Sequence, residues 1–342
     1  MFTIQGRNVN HTLLKGISGI LHASEEISPR GARTFELTEP CTTTYLQPTE
    51  RVLFYKERDA NPFFHLFEAL WMLAGRKDVK FLSQFNSNIA NYSDNGVTFH
   101  GAYGYRLRRH HIIDQLEEVV KLLKKDNDTR QAVLQIWDSF TDLGAVTKDI
   151  PCNDLIFLKI RNGKLNMTVC CRSNDMIWGA YGANVVHFSM IQEYIAAGVG
   201  VEVGVYNQVS DSFHVYPDNI LWGKIQKIKG LEDPYERLDI YPFPLVRNFE
   251  TFKEEVEDFC ENGNLSLKQY KNPFLSKVAR PMLMTWNQHK NGKNGAYTAA
   301  SLIRAADWRL ACLEWLARRG DTIEPTCWGF SDSTLFTRGY IK

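Results

Sequence analysis

The sequence predicts an α+β fold built as one continuous domain. Three observations carry that expectation. Helix-period and strand-period segments are mixed without the regular alternation of a βαβ protein. An Asn-Gly pair in "RNGK" joins two strand-like runs as a hairpin. No repeat, low-complexity tract or Pro/Gly/Ser linker divides the 342 residues.

Taken in order, residues 61–75, "NPFFHLFEALWMLAG", repeat apolar side chains at helical spacing and stop at Gly75. Residues 112–125, "IIDQLEEVVKLLKK", predict an amphipathic helix with acids early and lysines late, as the helix dipole favours. Residues 130–138 and 154–173 read as strands, and 183–200 as a buried helix ending in glycine. Residues 201–216 read as strand again, and 296–320 as one long helix.

Composition narrows the function classes. Apolar residues are 44% and charged residues 23%, ordinary for a globular protein. A net charge of +1 gives no basic excess for a nucleic-acid partner, although a local cluster could hold one phosphate. The first residues contain no long apolar core, so neither signal peptide nor membrane span is expected. Cysteines 41, 152, 170, 171, 260, 312 and 327 show no C-x-x-C spacing, which suggests reduced thiols in a cytoplasmic protein. No His/Cys spacing suggests a metal.

One cysteine stands apart. Cys152 lies in "DIPCND", between a proline and polar residues, rather than in an apolar run. A nucleophilic thiolate needs nearby positive charge, which Arg172 and Arg130 could supply. Arginines with Ser173 would also hold a phosphate. Glu68 is a carboxylate inside an apolar helix, a setting that suits general acid–base work. His214 and Tyr216 alternate with Phe213 and Val215, so both fall on one strand face. Singly, each has a plainer reading: a loop thiol, a paired helix acid, an ordinary turn, a wet strand face. Cys170 and Cys171 read as core strand thiols, and His110–His111 as a solvated surface.

The order of these residues is what sets them apart. "FEALWMLAG", "GAYGYR", Arg130, "PC", "RSND", "GAYGAN" and "HVY" succeed one another over about residues 28–220. In this order the chain resembles the thymidylate synthase family, including its pyrimidine-nucleotide hydroxymethylase branch. The resemblance implies a mixed sheet flanked by helices, with extra C-terminal helices in a divergent extension, 221–342, packed on the same domain. It implies a homodimer acting on a deoxypyrimidine monophosphate, with 5,10-methylenetetrahydrofolate as co-substrate and no metal, membrane or nucleic-acid partner. Residue by residue, it places Cys152 as nucleophile on C6, Glu68 and Tyr103 in proton transfer, and Asp175 and Gly179 at the folate. Arg30 (with Arg33 competing), Arg172 and Ser173 would hold the phosphate, joined by Arg130 of the neighbouring subunit. Asn184 would read the base with Asn153 beside it, and His214 and Tyr216 would hold the sugar hydroxyl.

Departures from the family pattern bear on the product. The tryptophan that lies beside the folate in a synthase is missing from "NIANYSD" (88–94), where Tyr92 or Trp71 could substitute. The chain ends "STLFTRGYIK", unlike the closing tail of a synthase. A wetter site favours capture of the methylene intermediate by water. The expectation is therefore 5-hydroxymethylation, of dUMP in preference to dCMP because Asn184 is not aspartate. The one-residue-longer "GAYGAN" loop and Asn153, in place of histidine, leave cytosine open. The alternatives are a thymidylate synthase and a catalytically silent nucleotide- or RNA-binding member of the fold.

Overall fold

A computed structural model describes residues 1–230, 233–238, 240–265, 267–292 and 295–320. Its centre is an eight-stranded mixed sheet among the described residues. Strands β1 (Phe2–Gly6), β2 (Ser24–Ile27), β3 (Thr34–Leu37) and β4 (Cys41–Tyr45) come first. Then follow β5 (Val133–Gln135), β6 (Asn153–Arg161), β7 (Lys164–Asp175) and β8 (Glu202–Val215). The main order is β1-β4-β8-β7-β6-β5, and β3 joins β2 to β8. β6 and β7 form the expected hairpin. Asn162 and Gly163 take φ values of 53° and 72°, the left-handed pair that a tight two-residue turn requires.

Helices cover one face. The described α-helices of eight residues or more are α1 (Val9–Ala23), α2 (Pro62–Leu73), α3 (Gln115–Lys125), α4 (Asn184–Val199), α5 (Phe249–Asn262), α6 (Arg280–Lys290) and α7 (Ala306–Arg318). Asn61 caps α2 by accepting from the Phe64 N–H, with Pro62 in the first turn, where no N–H is missed. Ile156 and Leu158 of β6 and Met167 and Val169 of β7 are buried together with α4 in one core. Described residues beyond 220, from Leu221 to Leu316, contribute to that core. Phe259 stacks on Phe67, and Trp286 and Trp315 pack on Phe63, both phenylalanines being on α2.

Four expectations change. The helix expected from residue 112 starts at Gln115, because Asp114 caps it and Ile112 is left-handed at φ 69°. The strand expected at 130–138 pairs only over Val133–Gln135. Beyond it, Ile136 and Trp137 both donate to the Asp154 carbonyl, which ends the ladder. The helix expected at 296–320 is two, Ala296–Ser301 and Ala306–Arg318. Burying Ile303 and bonding the Arg304 N–H to the Lys277 carbonyl outweigh helix continuity between them. Finally, Cys171 is a core thiol, but Cys170 is half-buried on the opposite sheet face, since neighbouring strand residues point opposite ways. That opposite face is partly bare: Val133 and Phe157, paired across β5 and β6, are 44% and 42% exposed.

Glu314 on α7 is buried, and burial pushes its carboxyl up to about 8. Its folded value lies above its unfolded one, so the folded state binds the extra proton, and stability falls as pH rises from about 4.5 to about 8. Glu314→Gln is expected to raise the melting temperature by several degrees near pH 8, the gain shrinking toward about pH 5. Melting curves across that range check it, and an equal shift at every pH would contradict it.

Candidate active site

The site forms where the loop before β6 meets the end of β7. Arg172 on β7 reaches back to that loop, its Nε donating to the Pro151 carbonyl at 2.8 Å and its Nη2 to the Ile150 carbonyl at 3.1 Å. The same Nη2 lies 4.0 Å from Cys152 Sγ. The Arg172 guanidinium also sits over the Trp137 ring at 5.7 Å. Among the described residues it forms no ion pair, although Asp154 feels its charge, so the guanidinium can still receive an incoming anion. Burial pushes the Cys152 thiol up, and Arg172 opposes that rise.

Tyr103 stands behind Cys152, its hydroxyl accepting the Cys152 N–H at 3.3 Å and its ring stacked on Phe188. The glycine after it is a packing requirement, because a Cβ on Gly104 would come within 2.1 Å of the Met72 carbonyl oxygen. The buried Arg106–Asp142 pair, bonded at 2.6 and 2.8 Å, ties this segment to the residues after β5. Gly101 donates to Asp149 at 2.7 Å, and burial raises the Asp149 carboxyl to about 6.

Glu68 projects from α2 toward α4, with Oε2 3.1 Å from His187 Nε2. The described residues supply neither atom with an aligned hydrogen bond, so both are available to a bound molecule. Asn184, at the head of α4, accepts from Asn153 Nδ2 at 3.2 Å and donates to Asn174 Oδ1 at 3.1 Å.

Asp175 ends β7. One of its oxygens accepts the Ile177 and Trp178 N–H groups, both at 2.7 Å. The other is buried without a donor, and burial raises the carboxyl. A wide helical turn, Met176–Ala183, follows it, kinked at Tyr181 and Gly182. Trp178 on that turn is 51% exposed and lies over buried Arg58, 4.8 Å from its guanidinium. Burial pushes Arg58 down to about 10. Gly179 has no room for a Cβ, which would meet Asn174 Oδ1 at 2.5 Å.

His214 is buried, its Nδ1 2.9 Å from Ser212 Oγ, and its ring lies edge-on to Tyr216 at 5.4 Å. Tyr216 feels the charges of Asp175, Arg30 and Cys152, so it borders the same space. Arg33 is engaged by Glu26 through two bonds of 2.9 Å, whereas exposed Arg30 has no ion pair among the described residues. Ser173 is half-buried one residue beyond Arg172.

Some expectations are not met within one chain. Arg130 is exposed ahead of β5 and makes no bond to Cys152 or Arg172, so Arg172 alone supplies the charge beside the thiol. Trp71 is buried with its Nε1 bonded to the Asp78 carbonyl. Tyr92 is 57% exposed and is an electrostatic neighbour of Tyr216. The tail "STLFTRGYIK" and Cys327 lie outside the described residues. His110 and His111 are not simply solvated. His110 bonds Asp138 at 2.8 Å, and these three residues bring ligand-type atoms within 4.8 Å of one another.

Sequence reasoning missed His187, Asn174, Trp178 and Arg58. His187 was open to helical spacing, three residues after Asn184 on one face. Trp178 was open as a tryptophan three residues after the polar run that ends at Asp175. Asn174 and Arg58 left no local signal, because their partners are distant in sequence.

The arrangement offers a thiol beside a cation, a proton-transfer pair, a fixed amide and an aromatic shelf. A family model described as thymidylate synthase matches residues 17–276. The chain is 42% identical over 341 residues to a deoxyuridylate hydroxymethyltransferase of Pseudomonas phage M6, covering 95% of this chain and 96% of that one. It is 40% identical over 292 residues to a protein of the same name from Bacillus phage SP01, covering 81% and 74%. A putative thymidylate synthase of Methanothermobacter thermautotrophicus is 31% identical over 219 residues, 64% of this chain and 95% of that one.

If Arg172 is what opposes the burial of the thiol, Arg172→Gln should raise the Cys152 pKa further. Peptide-resolved alkylation with iodoacetamide across pH should show the Cys152 profile displaced upward and its rate at neutral pH reduced about tenfold. An unmoved profile would show that Arg172 does not act on the thiol.

Proposed function

The chain belongs to the thymidylate synthase family, and from that premise we propose that it transfers a one-carbon unit from 5,10-methylenetetrahydrofolate to C5 of dUMP, giving the 5-hydroxymethyl nucleotide. The observation that carries the chemistry is the Cys152 thiol 4.0 Å from Arg172, backed by Tyr103. The relatives named deoxyuridylate hydroxymethyltransferase support the choice of base and product.

Uracil C5 is a weak nucleophile. Attack of the Cys152 thiolate on C6 forms an S–C6 bond and moves the C5=C6 electron pair toward C5 and O4, making C5 enolate-like. Arg30, Arg172 and Ser173 hold the nucleotide phosphate, and that binding energy keeps C6 near sulfur. Asn184 meets the base edge, and His214 and Tyr216 the sugar. Tyr103 assists loss of the C5 proton, and the Glu68–His187 pair relays protons to the base oxygen. C5 bonds the transferred carbon. Once the C5 proton is lost, that carbon's bond to the folate nitrogen breaks, the electron pair leaving with nitrogen. Water then adds to the exocyclic methylene, and the pair returned to C5 re-forms the C5=C6 bond as the S–C6 bond breaks and Cys152 leaves.

The residues present fit the folate. Asp175 has one buried oxygen without a donor, suited to a pterin N–H, and Trp178 offers a flat exposed face above Arg58. When bound, the folate supplies a carbon at the oxidation level of formaldehyde. Trp178 also favours one alternative. An aromatic at that place could exclude water, and reduction to dTMP would then win.

A homodimer completes the phosphate site. Exposed Arg130 lies beside the partly bare face that carries Val133 and Phe157, and a second copy covering that face would receive it. The free thiols among the described residues suit a reducing cytoplasm, and no described helix is long and apolar enough to cross a membrane.

One set of incubations tests the reading. The protein with methylenetetrahydrofolate and dUMP should yield a hydroxymethylated nucleotide by mass spectrometry, with tetrahydrofolate rather than dihydrofolate released. Cys152→Ser should abolish turnover. Arg130→Ala should weaken it strongly, and mixing these two variants should give more turnover than either alone through shared sites. Methylated nucleotide with dihydrofolate would make it a thymidylate synthase, and full activity of Cys152→Ser would remove the covalent route.

A further inference from the structure

Asn184 does not stand alone. Asn153 Nδ2 donates to Asn184 Oδ1 at 3.2 Å, Asn184 Nδ2 to Asn174 Oδ1 at 3.1 Å, and Asn174 Nδ2 to Ser210 Oγ at 2.8 Å. The four side chains come from β6, α4, β7 and β8. Asn153, Asn174 and Ser210 are at most 1% exposed, while Asn184 keeps 7%, so the row opens to a ligand at Asn184. Gly179 packs directly on the Asn174–Asn184 bond and keeps the two amides in contact.

A carboxamide has two N–H donors and two lone pairs. Asn184 uses one of each inside the row, leaving one N–H and one lone pair for a base. Uracil presents an N3–H donor beside an O4 acceptor. Cytosine presents an N3 acceptor beside an amino donor. Each base therefore needs one donor and one acceptor from Asn184, in opposite order. The difference lies in which way round the amide is held. Turning it over inside the row mispairs buried groups unless its neighbours turn as well.

We propose that Asn153, Asn174 and Ser210 are positioning residues that select the base, by holding Asn184 with its oxygen toward β6 and its nitrogen toward β7. This rests on the reading above, in which Asn184 meets the pyrimidine. No carboxylate or imidazole sits in the row to fix its direction, and the Tyr103 hydroxyl beside Asn153 can donate or accept, so one acceptor-only member should set it. A carboxylate at 174 accepts from Asn184 Nδ2 and keeps the present direction. A carboxylate at 153 draws that nitrogen toward β6 and reverses it.

The test compares Asn174→Asp and Asn153→Asp with the wild type, measuring kcat/KM and calorimetric Kd for dUMP and dCMP. Asn174→Asp should keep the dUMP preference. Asn153→Asp should shift the dUMP/dCMP ratio toward dCMP by about tenfold or more, in binding as well as turnover. Should a buried carboxylate prevent folding, Ser210→Ala serves instead. It frees one end of the row and should narrow the ratio severalfold without a comparable loss of melting temperature. Variants that weaken both nucleotides alike, or a Ser210→Ala ratio equal to wild type, would overturn the proposal. A wild type that binds neither nucleotide would overturn the functional reading itself, and this one with it.

Discussion

Arg172 is the residue on which the site depends. Its guanidinium spends its hydrogen bonds on the carbonyls of Ile150 and Pro151 rather than on a carboxylate. Those bonds fix the loop that presents Cys152 without tying the guanidinium to a carboxylate in an ion pair among the described residues. The thiol lies 4.0 Å from that charge. An acid placed against Arg172 would hold the loop equally well and remove the reason for holding it. Burial raises the Cys152 thiol, and Arg172 works against that rise.

The rest of the fold serves this point of contact. The β6–β7 hairpin brings Arg172 opposite Cys152, as the bond from the Arg172 N–H to the Cys152 carbonyl records. Helix α4 carries both Asn184 and His187, and α2 carries Glu68 against it. The C-terminal helices reach the chemistry indirectly. They bury Phe63 and Phe67 and so fix the helix that holds Glu68. A disturbance there should act through α2 rather than through substrate contacts.

What the sequence made legible was local or ordered. Asn162–Gly163 announced the hairpin because only a few residue pairs accept two positive φ values. Cys152 drew notice by lacking apolar neighbours, and the succession of short motifs led to Glu68, Asn184 and His214. What stayed hidden depended on distant partners. Nothing in "RSND" tells that Asn174 will face Ser210, thirty-six residues on. Nothing near Trp178 tells that a buried arginine from residue 58 will lie under it. The helix break at 302–305 was invisible for the same reason, since a tertiary bond to Lys277 decides it. Arg130 shows the opposite case: a residue noticed in sequence whose use one chain alone does not display.

The central claim is that Cys152 adds to C6 and thereby activates C5. With tetrahydrofolate, which carries no carbon to transfer, the reaction can go no further than that addition and its reversal. The C5 hydrogen of dUMP should then exchange with solvent. Incubation in deuterium oxide, followed by proton NMR, should show the C5 signal of dUMP fading with the wild type and persisting with Cys152→Ser. Equal exchange by both proteins, or none by a wild type that binds the nucleotide, would contradict the account.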